Sequence, residues 1–478
     1  MAQKQHIVLF PTLCQGHFIP FLALAAHLEQ RNRYTITLVS TPLNVKNLQS
    51  TLPPTTSIRL ASLPFNGLEH GLPPNSESTD TLPCHLPLRL LQVSETLKPS
   101  FENLISEITR EDGRPPFCII SDMFLGWTVE IAKRLGIFHT VFVVSGAYGT
   151  AVYFSLWLNL PHSKTDSDEF PLPDFPEPIS IHRSQLTNHL KLANGSDALS
   201  QLHQRLLPLC FRSDGFLFNT VEELEKTGLE YFRRKTNRPV WAIGPVKNVS
   251  YARKEPGISA DRCLSWLNLH CPNSVLYVSF GSQNTISVSQ MMELAMGLEA
   301  SGTPFIWVVR PPVGFDINEE FRAEWLPEGF EERMAEGKRG MLVRNWGPQL
   351  EILSHGSTGA FLSHCGWNST VESLSRGVPL IGWPLSAEQF YNVKMMEEKL
   401  GVCVEIARGY GGEIERSEVE RVIKEVMGEE MRKKALEVKE MMNDATREDK
   451  GSVASSLEAL DEFLTTAIRQ DGKPNECV

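Results

Sequence analysis

Residues Trp346–Gln389 read WGPQLEILSHGSTGAFLSHCGWNSTVESLSRGVPLIGWPLSAEQ, and the middle of this run decides the fold. Ala360-Phe361-Leu362-Ser363 is a short apolar run of strand type, and His364-Cys365-Gly366-Trp367 reads as a turn. Asn368 and Ser369 stand where a helix begins, and Thr370 to Leu374 continue it. Strand, Gly-containing turn and helix in that order form the first half of a βαβ unit. The pattern extends outward: Val275–Phe280 as a strand, a helix from about Ser287 to Ser301, then Phe305–Arg310 and Met341–Arg344 as strands. A second block lies near the N-terminus, with strands at Ile7–Phe10, Thr35–Val39, Cys118–Ser121 and Thr140–Val144 and helices at Phe21–Gln30 and Thr128–Leu135. Two such blocks imply an α/β protein with two Rossmann-like halves, each on a parallel sheet.

The same run carries chemistry. At the helix start, unpaired backbone N–H groups and the positive end of the helix dipole converge, which suits a diphosphate, and Gly366 allows close backbone approach. Glu372, one turn on, is placed to accept hydrogen bonds from ribose hydroxyls. Trp346 offers a flat face to a base, and such stacking contributes roughly 1–3 kcal/mol. Taken singly each part is ordinary: an N-cap pair, a packed indole. His364-Cys365 has no second Cys or His pair at ligand spacing, so no metal site is read there.

Together, Trp346, Gln349, His364, Gly366, Trp367, Asn368, Ser369, Glu372, Pro384, Glu388 and Gln389 match at family spacing the signature box of the plant secondary-product UDP-glycosyltransferases, which the chain closely resembles. His6-Ile7-Val8-Leu9-Phe10-Pro11 with Gln15-Gly16-His17-Phe18-Ile19-Pro20 is similar to the family's first strand and histidine loop. Cys118-Ile119-Ile120-Ser121-Asp122 is similar to the strand ending in its aspartate. Asn219-Thr220, Glu222-Glu223-Leu224-Glu225, Ile243-Gly244-Pro245 and Val278-Ser279-Phe280-Gly281-Ser282 recur at the expected intervals. The resemblance implies a GT-B fold, two Rossmann-like domains with their sheets facing across a cleft, and an inverting, metal-independent transfer. It implies His17 and Asp122 as the catalytic pair, and Ser282 with His364, Asn368 and Ser369 at the diphosphate. Glu388 and Gln389 would hold the sugar. A terminal Gln goes with glucose in this family, whereas Glu388 stands where Asp is frequent. UDP-glucose is thus the expected donor substrate, with UDP-galactose and UDP-xylose as alternatives, and no cofactor is expected.

Physical chemistry supports the pair. Ligands of open α/β sheets bind beyond the carboxyl ends of strands, where both His17 and Asp122 fall. An imidazole of ordinary pKa near ~6.5 accepts a proton at cellular pH, and a carboxylate beside it orients the ring and stabilises the imidazolium. Phe124, Trp127, Tyr148, Tyr153, Phe154 and Trp157 follow the Asp122 strand. They read either as ordinary core or as the lining of an apolar acceptor pocket. Phe124, Ser145, Tyr148 and Tyr153 are the acceptor-side candidates, for a flavonoid, simple phenolic or terpenoid bearing a hydroxyl.

Composition sets limits. A chain of 478 residues exceeds one ordinary core, so two domains are expected: 1–244 for the acceptor, a Pro- and Gly-containing linker at 245–262, and 263–450 for the UDP-sugar. By resemblance, the helix in 451–478 packs back on the first domain. A hydrophobic fraction of 41% with 22% charged residues is that of a globular protein, and a net charge of -11 argues against nucleic acid. Nine cysteines without dense spacing read as reduced thiols of a cytoplasmic protein. The apolar stretch Ile7–Leu28 holds Pro11, Gln15, Gly16, His17 and Pro20, so it reads as strand, loop and helix rather than as a signal peptide or membrane span. The sequons at Asn194, Asn248 and Asn368 then read as chance matches. Asp166-Ser167-Asp168 reads as a solvated loop rather than a metal site, Pro161–Ser180 as a long surface loop, Ser417–Glu440 and Ser452–Ile468 as helices. Pro311–Glu324 and Gly411-Gly412 are candidates for ordering over bound substrates. A monomer is the default. No GxGxxG follows the first strand and no GxSxG occurs, against a dinucleotide oxidoreductase and a Ser-His-Asp hydrolase. A catalytically silent binding protein on the same fold is the alternative.

Overall fold

The computed structural model describes residues 4–79, 82, 86–246, 257–316, 319–447 and 454–471. Asn248, Ile317, Asn318 and most of the expected linker lie outside the described residues. The chain divides into two compact units, Met1–Ser180 with Leu192–Arg253 and Ala445–Val478, and Ile181–Lys191 with Lys254–Asp444.

The first unit contains β1 (Gln5–Phe10), β2 (Tyr34–Ser40), β3 (Arg59–Ser62), β4 (Cys118–Asp122), β5 (Phe138–Val143), β6 (Glu169–Pro171), the start of β7 (Ser180–His182), β8 (Gly215–Phe218) and β9 (Val240–Ala242). Seven of these form one sheet in the order β3-β2-β1-β4-β5-β8-β9, with every neighbouring pair parallel. Ile7, Val8, Leu9 and Phe10 are all fully buried. A strand covered on both faces is an unbroken apolar run, and this is why these strands are legible without alternation. The strand order reverses between β1 and β4, which opens a crevice at their carboxyl ends.

The second unit repeats the plan. β10 (Val275–Ser279), β11 (Phe305–Val309), β12 (Gly340–Arg344), β13 (Thr358–Ser363), β14 (Leu380–Gly382) and β15 (Cys403–Glu405) form a parallel sheet in the order β12-β11-β10-β13-β14-β15. Its reversal falls between β10 and β13. The α/β architecture expected from the sequence, built on two parallel sheets, is the one observed, and β6 and β7 form a further two-stranded sheet.

Several elements differ from expectation. The first helix spans Gln15–Gln30 rather than starting at Phe21, so His17 sits in its first turn. Pro20 removes one donor, but burial of Phe18, Phe21, Leu22, Leu24 and Ala25 carries the helix through it. The helix after β13 spans Trp367–Leu374 with Gly366 at its cap, so the Asn368-Ser369 pair lies inside the first turn. Pro161–Ser180 is not all loop: a short helical turn, Pro161–Lys164, precedes β6, and Leu172 N donates to Ile179 O at 3.1 Å. Buried Phe170 and Leu172 anchor it. The charged C-terminal stretch is two helices, Arg416–Val426 and Glu429–Thr446, broken at Met427-Gly428. The helix Ser455–Asp471 belongs to the first unit, where Phe463 meets Trp241 edge-on at 5.4 Å. No described helix is long and apolar enough to cross a membrane.

Candidate active site

In the first unit, the reversal between β1 and β4 brings together what sequence separates. His17 follows β1, Asp122 ends β4, and His17 Nδ1 lies 2.5 Å from Asp122 Oδ2. The carboxylate is fully buried, and its other oxygen, Oδ1, accepts from Phe124 N at 3.0 Å, so both oxygens are fixed. With Nδ1–H donated to Asp122, the neutral ring carries its lone pair on Nε2. Phe124 flanks the imidazole, with ring centroids 5.9 Å apart.

The other acceptor-side candidates are placed differently. Ser145 and Tyr148 are buried, and Tyr148 packs on Phe175. Tyr153 bonds His203 Nε2 at 2.6 Å, and His203 stacks on Trp157 at 4.1 Å. Trp127 packs edge-on against Phe10 and Phe101, and Phe154 against Phe232. Most of this aromatic cluster is core.

In the second unit, the reversal between β10 and β13 gathers the box residues. Cys365 adopts φ +60°, which turns the chain sharply from β13 into the helix Trp367–Leu374. His364 is held between two glycines: a Cβ at Gly281 would fall 2.6 Å from its Cε1, and one at Gly366 would fall 2.6 Å from its Nε2. Burial pushes the imidazole pKa down to about 4, so the ring is neutral at pH 7. Its Nδ1 is buried without a protein partner among the described residues, as a group awaiting a ligand would be. Ser282 follows Gly281 in the facing turn and is half-buried. Trp367 is 3% exposed, so its indole is packed into the unit rather than open to solvent.

Gln349 ties the box together. Its Nε2 donates to Glu372 Oε2 at 2.8 Å and to Ser369 Oγ at 3.1 Å, while Tyr277 Oη donates to its Oε1 at 3.3 Å. Trp346 is half-buried beneath the guanidinium of Arg310, 5.8 Å from the ring centroid, and Arg310 Nη1 also donates to Gly281 O. The sequence pattern does not single out Arg310, and its place at the carboxyl end of a strand is the one signal it carries.

At the far end of the box, Glu388 caps the helix Gln389–Met395 and its Oε1 accepts from Asn392 Nδ2 at 3.4 Å. Gln389 turns its Oε1 to the backbone N–H groups of Leu385 and Ser386, both at 2.9 Å, and its Nε2 to Ser386 Oγ at 3.2 Å. Among the described residues, no group of three or more His, Cys, Asp or Glu side chains is arranged to hold a metal ion.

Comparison with known proteins identifies the family. Residues 262–446 match the family model described as "UDP-glucoronosyl and UDP-glucosyl transferase". The chain is 46% identical over 474 residues to UDP-glycosyltransferase 92A1 of Arabidopsis thaliana, covering 97% of each protein. It is 48% identical over 448 residues to crocetin glucosyltransferase 3 of Crocus sativus, covering 89% of this chain and 91% of that one. Among solved structures, UGT73P12 of Glycyrrhiza uralensis, complexed with glycyrrhetinic acid 3-O-monoglucuronide, superposes with a TM-score of 0.83 at 30% identity, over 98% of this chain and 96% of that one. The chain therefore belongs to the plant UDP-glycosyltransferases, enzymes that glycosylate small metabolites.

Proposed function

We propose that the protein transfers glucose from UDP-glucose to a hydroxyl of a small apolar metabolite, with inversion and without a metal. The first unit supplies the base and acceptor side, the second holds the donor. The 2.5 Å His17–Asp122 bond is the observation that carries this proposal. His17 Nε2 takes the proton of the acceptor hydroxyl as that oxygen attacks the anomeric carbon. The bond from that carbon to UDP breaks on the opposite face, and Asp122 stabilises the imidazolium at Nδ1. Charge building on UDP is met by the N–H groups at Trp367–Ser369, neutral His364 and Ser282, donors that perform the task assigned to a metal in other transferases. Relatives named for crocetin, scopoletin and a flavonoid 3-hydroxyl favour a flat or elongated acceptor, and the glycyrrhetinic acid complex adds triterpenoids.

UDP release, measured with UDP-glucose and EDTA across flavonols, phenolic acids, carotenoid-derived acids and triterpenoids, tests the proposal. Acceptor-dependent release is expected, and an α-linked product or a strict requirement for added metal would overturn the mechanism.

A further inference from the structure

Asn284 lies on the loop after β10, is 7% exposed, and lines a small cavity together with Gly281 and Arg310. Its amide oxygen is turned towards the hydroxyls of Ser386 and Tyr410, at the end of a chain of hydrogen bonds that starts at Gln389. Two backbone N–H groups can only donate, so Gln389 Oε1 is their acceptor and Gln389 Nε2 is a donor to Ser386 Oγ. Ser386 Oγ then passes its own proton to Asn284 Oδ1 at 3.4 Å, and Tyr410 Oη donates to the same oxygen at 2.8 Å. Tyr410 is held in turn, because its carbonyl and that of Gly412 accept from Gln290 Nε2 at 3.2 and 2.7 Å. Gln290 completes the capping box of the helix Val288–Ser301. Asn284 Oδ1 therefore has both lone pairs engaged, and Nδ2 is left with two N–H donors and no protein partner among the described residues.

Unlike His364 Nδ1, Asn284 Nδ2 is not sealed from solvent, so its two N–H groups are open to water or to a ligand that takes the place of water. Asn284 adjoins Ser386, in the same short segment as Glu388 and Gln389. We propose that Asn284 is a sugar-recognising residue: its Nδ2–H, aimed by Ser386 and Tyr410, donates to a hydroxyl of the hexose of the UDP-sugar, an assignment that rests on the donor function proposed above. Gln389 has its carbonyl committed to backbone, so this second amide adds a donor at the sugar.

The test compares wild type, N284A and N284D by calorimetry with UDP and UDP-glucose, and by kinetics with UDP-glucose and its 2-, 3-, 4- and 6-deoxy analogues. N284A and N284D, which both lack the N–H donors, are expected to weaken UDP-glucose binding about 10-fold, the effect of one hydrogen bond, while UDP affinity stays within about 2-fold. With one deoxy analogue the difference between wild type and N284A is expected to vanish. Y410F leaves the N–H donors in place but frees the amide, and should give a smaller loss in the same direction. UDP and UDP-glucose weakened in parallel, unchanged UDP-glucose affinity, or equal losses with every analogue would each overturn the proposal for Asn284 alone. A wild-type protein that binds UDP but no UDP-hexose would overturn the donor function, and this assignment with it.

Discussion

His17 Nδ1 and Asp122 Oδ2 lie 2.5 Å apart although 105 residues separate them in sequence. The pair exists because β1 and β4 are parallel neighbours, Phe10 facing Ser121 in register, so the residues beyond each strand emerge side by side. His17→Ala is expected to lower turnover by about 10²–10⁴, the usual worth of a general base, with UDP affinity unchanged. Asp122→Asn should lose less, because the amide can still hold the ring but cannot stabilise the imidazolium. Single-turnover assays beside UDP calorimetry read both, and full turnover in His17→Ala would refute the assignment.

Gly281 and Gly366 leave no space for a methyl group beside His364. Gly281→Ala is the worse case, because Gly281 also holds φ +76°. Either change should weaken UDP by about 10-fold or more, seen by calorimetry, with a smaller effect on thermal stability. Since His364 is neutral, His364→Gln should keep a donor and share the wild-type pH profile for UDP binding between pH 5.5 and 8. A separate ionisation seen only in wild type would contradict this.

His139 is fully buried among Ser121, Thr128 and Ser213, and burial depresses its pKa to about 3. The unfolded chain takes up a proton on this residue near pH ~6.5 and the native state does not. Its contribution to stability is complete above that pH and is lost as pH falls toward about 3, at up to ~1.4 kcal/mol per pH unit. Urea midpoints at pH 7, 6 and 5 should therefore converge between wild type and His139→Gln. Parallel curves would argue against a neutral buried ring.

Glu225 shows the opposite slope. Its carboxylate accepts from Ala147 N at 2.8 Å and Tyr148 N at 2.9 Å, at the start of the helix Ala147–Asn159, yet burial pushes its pKa up to about 7. The native state holds a proton that the unfolded chain has released, so this group's contribution is complete below pH ~4.5 and declines as pH rises to about 7. Wild type should lose stability relative to Glu225→Gln across that window, read by the same urea midpoints. On the same contact, a Cβ at Gly228 would fall 2.2 Å from Tyr148 N. Gly228→Ala should cost about 2–3 kcal/mol by denaturant melts, because backbone, not a flexible side chain, must yield.

The strands were legible because a parallel sheet covered on both faces demands unbroken apolar runs, and the box was legible because a turn glycine followed by a helix start is a local pattern. The extent of the first helix was not, because Gly16 and Pro20 read as breakers until packing of Phe18, Phe21 and Leu22 overrides them. The aromatic run after Asp122 reads the same whether its rings form core or pocket, and burial decided mostly for core.

Sequence by itself determined the class of chemistry: two α/β halves, a nucleotide-binding turn and the residue types of a general base with its carboxylate. Each of these is carried by a local run, a strand with the residue that follows it or a turn with its helix start, whereas the meeting of His17 with Asp122 needed β1 and β4 to pair. Only the tertiary structure decided that His364 is a neutral ring pressed between Gly281 and Gly366, that Arg310 covers Trp346, and that Ser386 and Tyr410 aim the amide of Asn284. Those relationships join loops at positions 284, 386 and 410, and a hydrogen bond between distant loops leaves no periodicity to read.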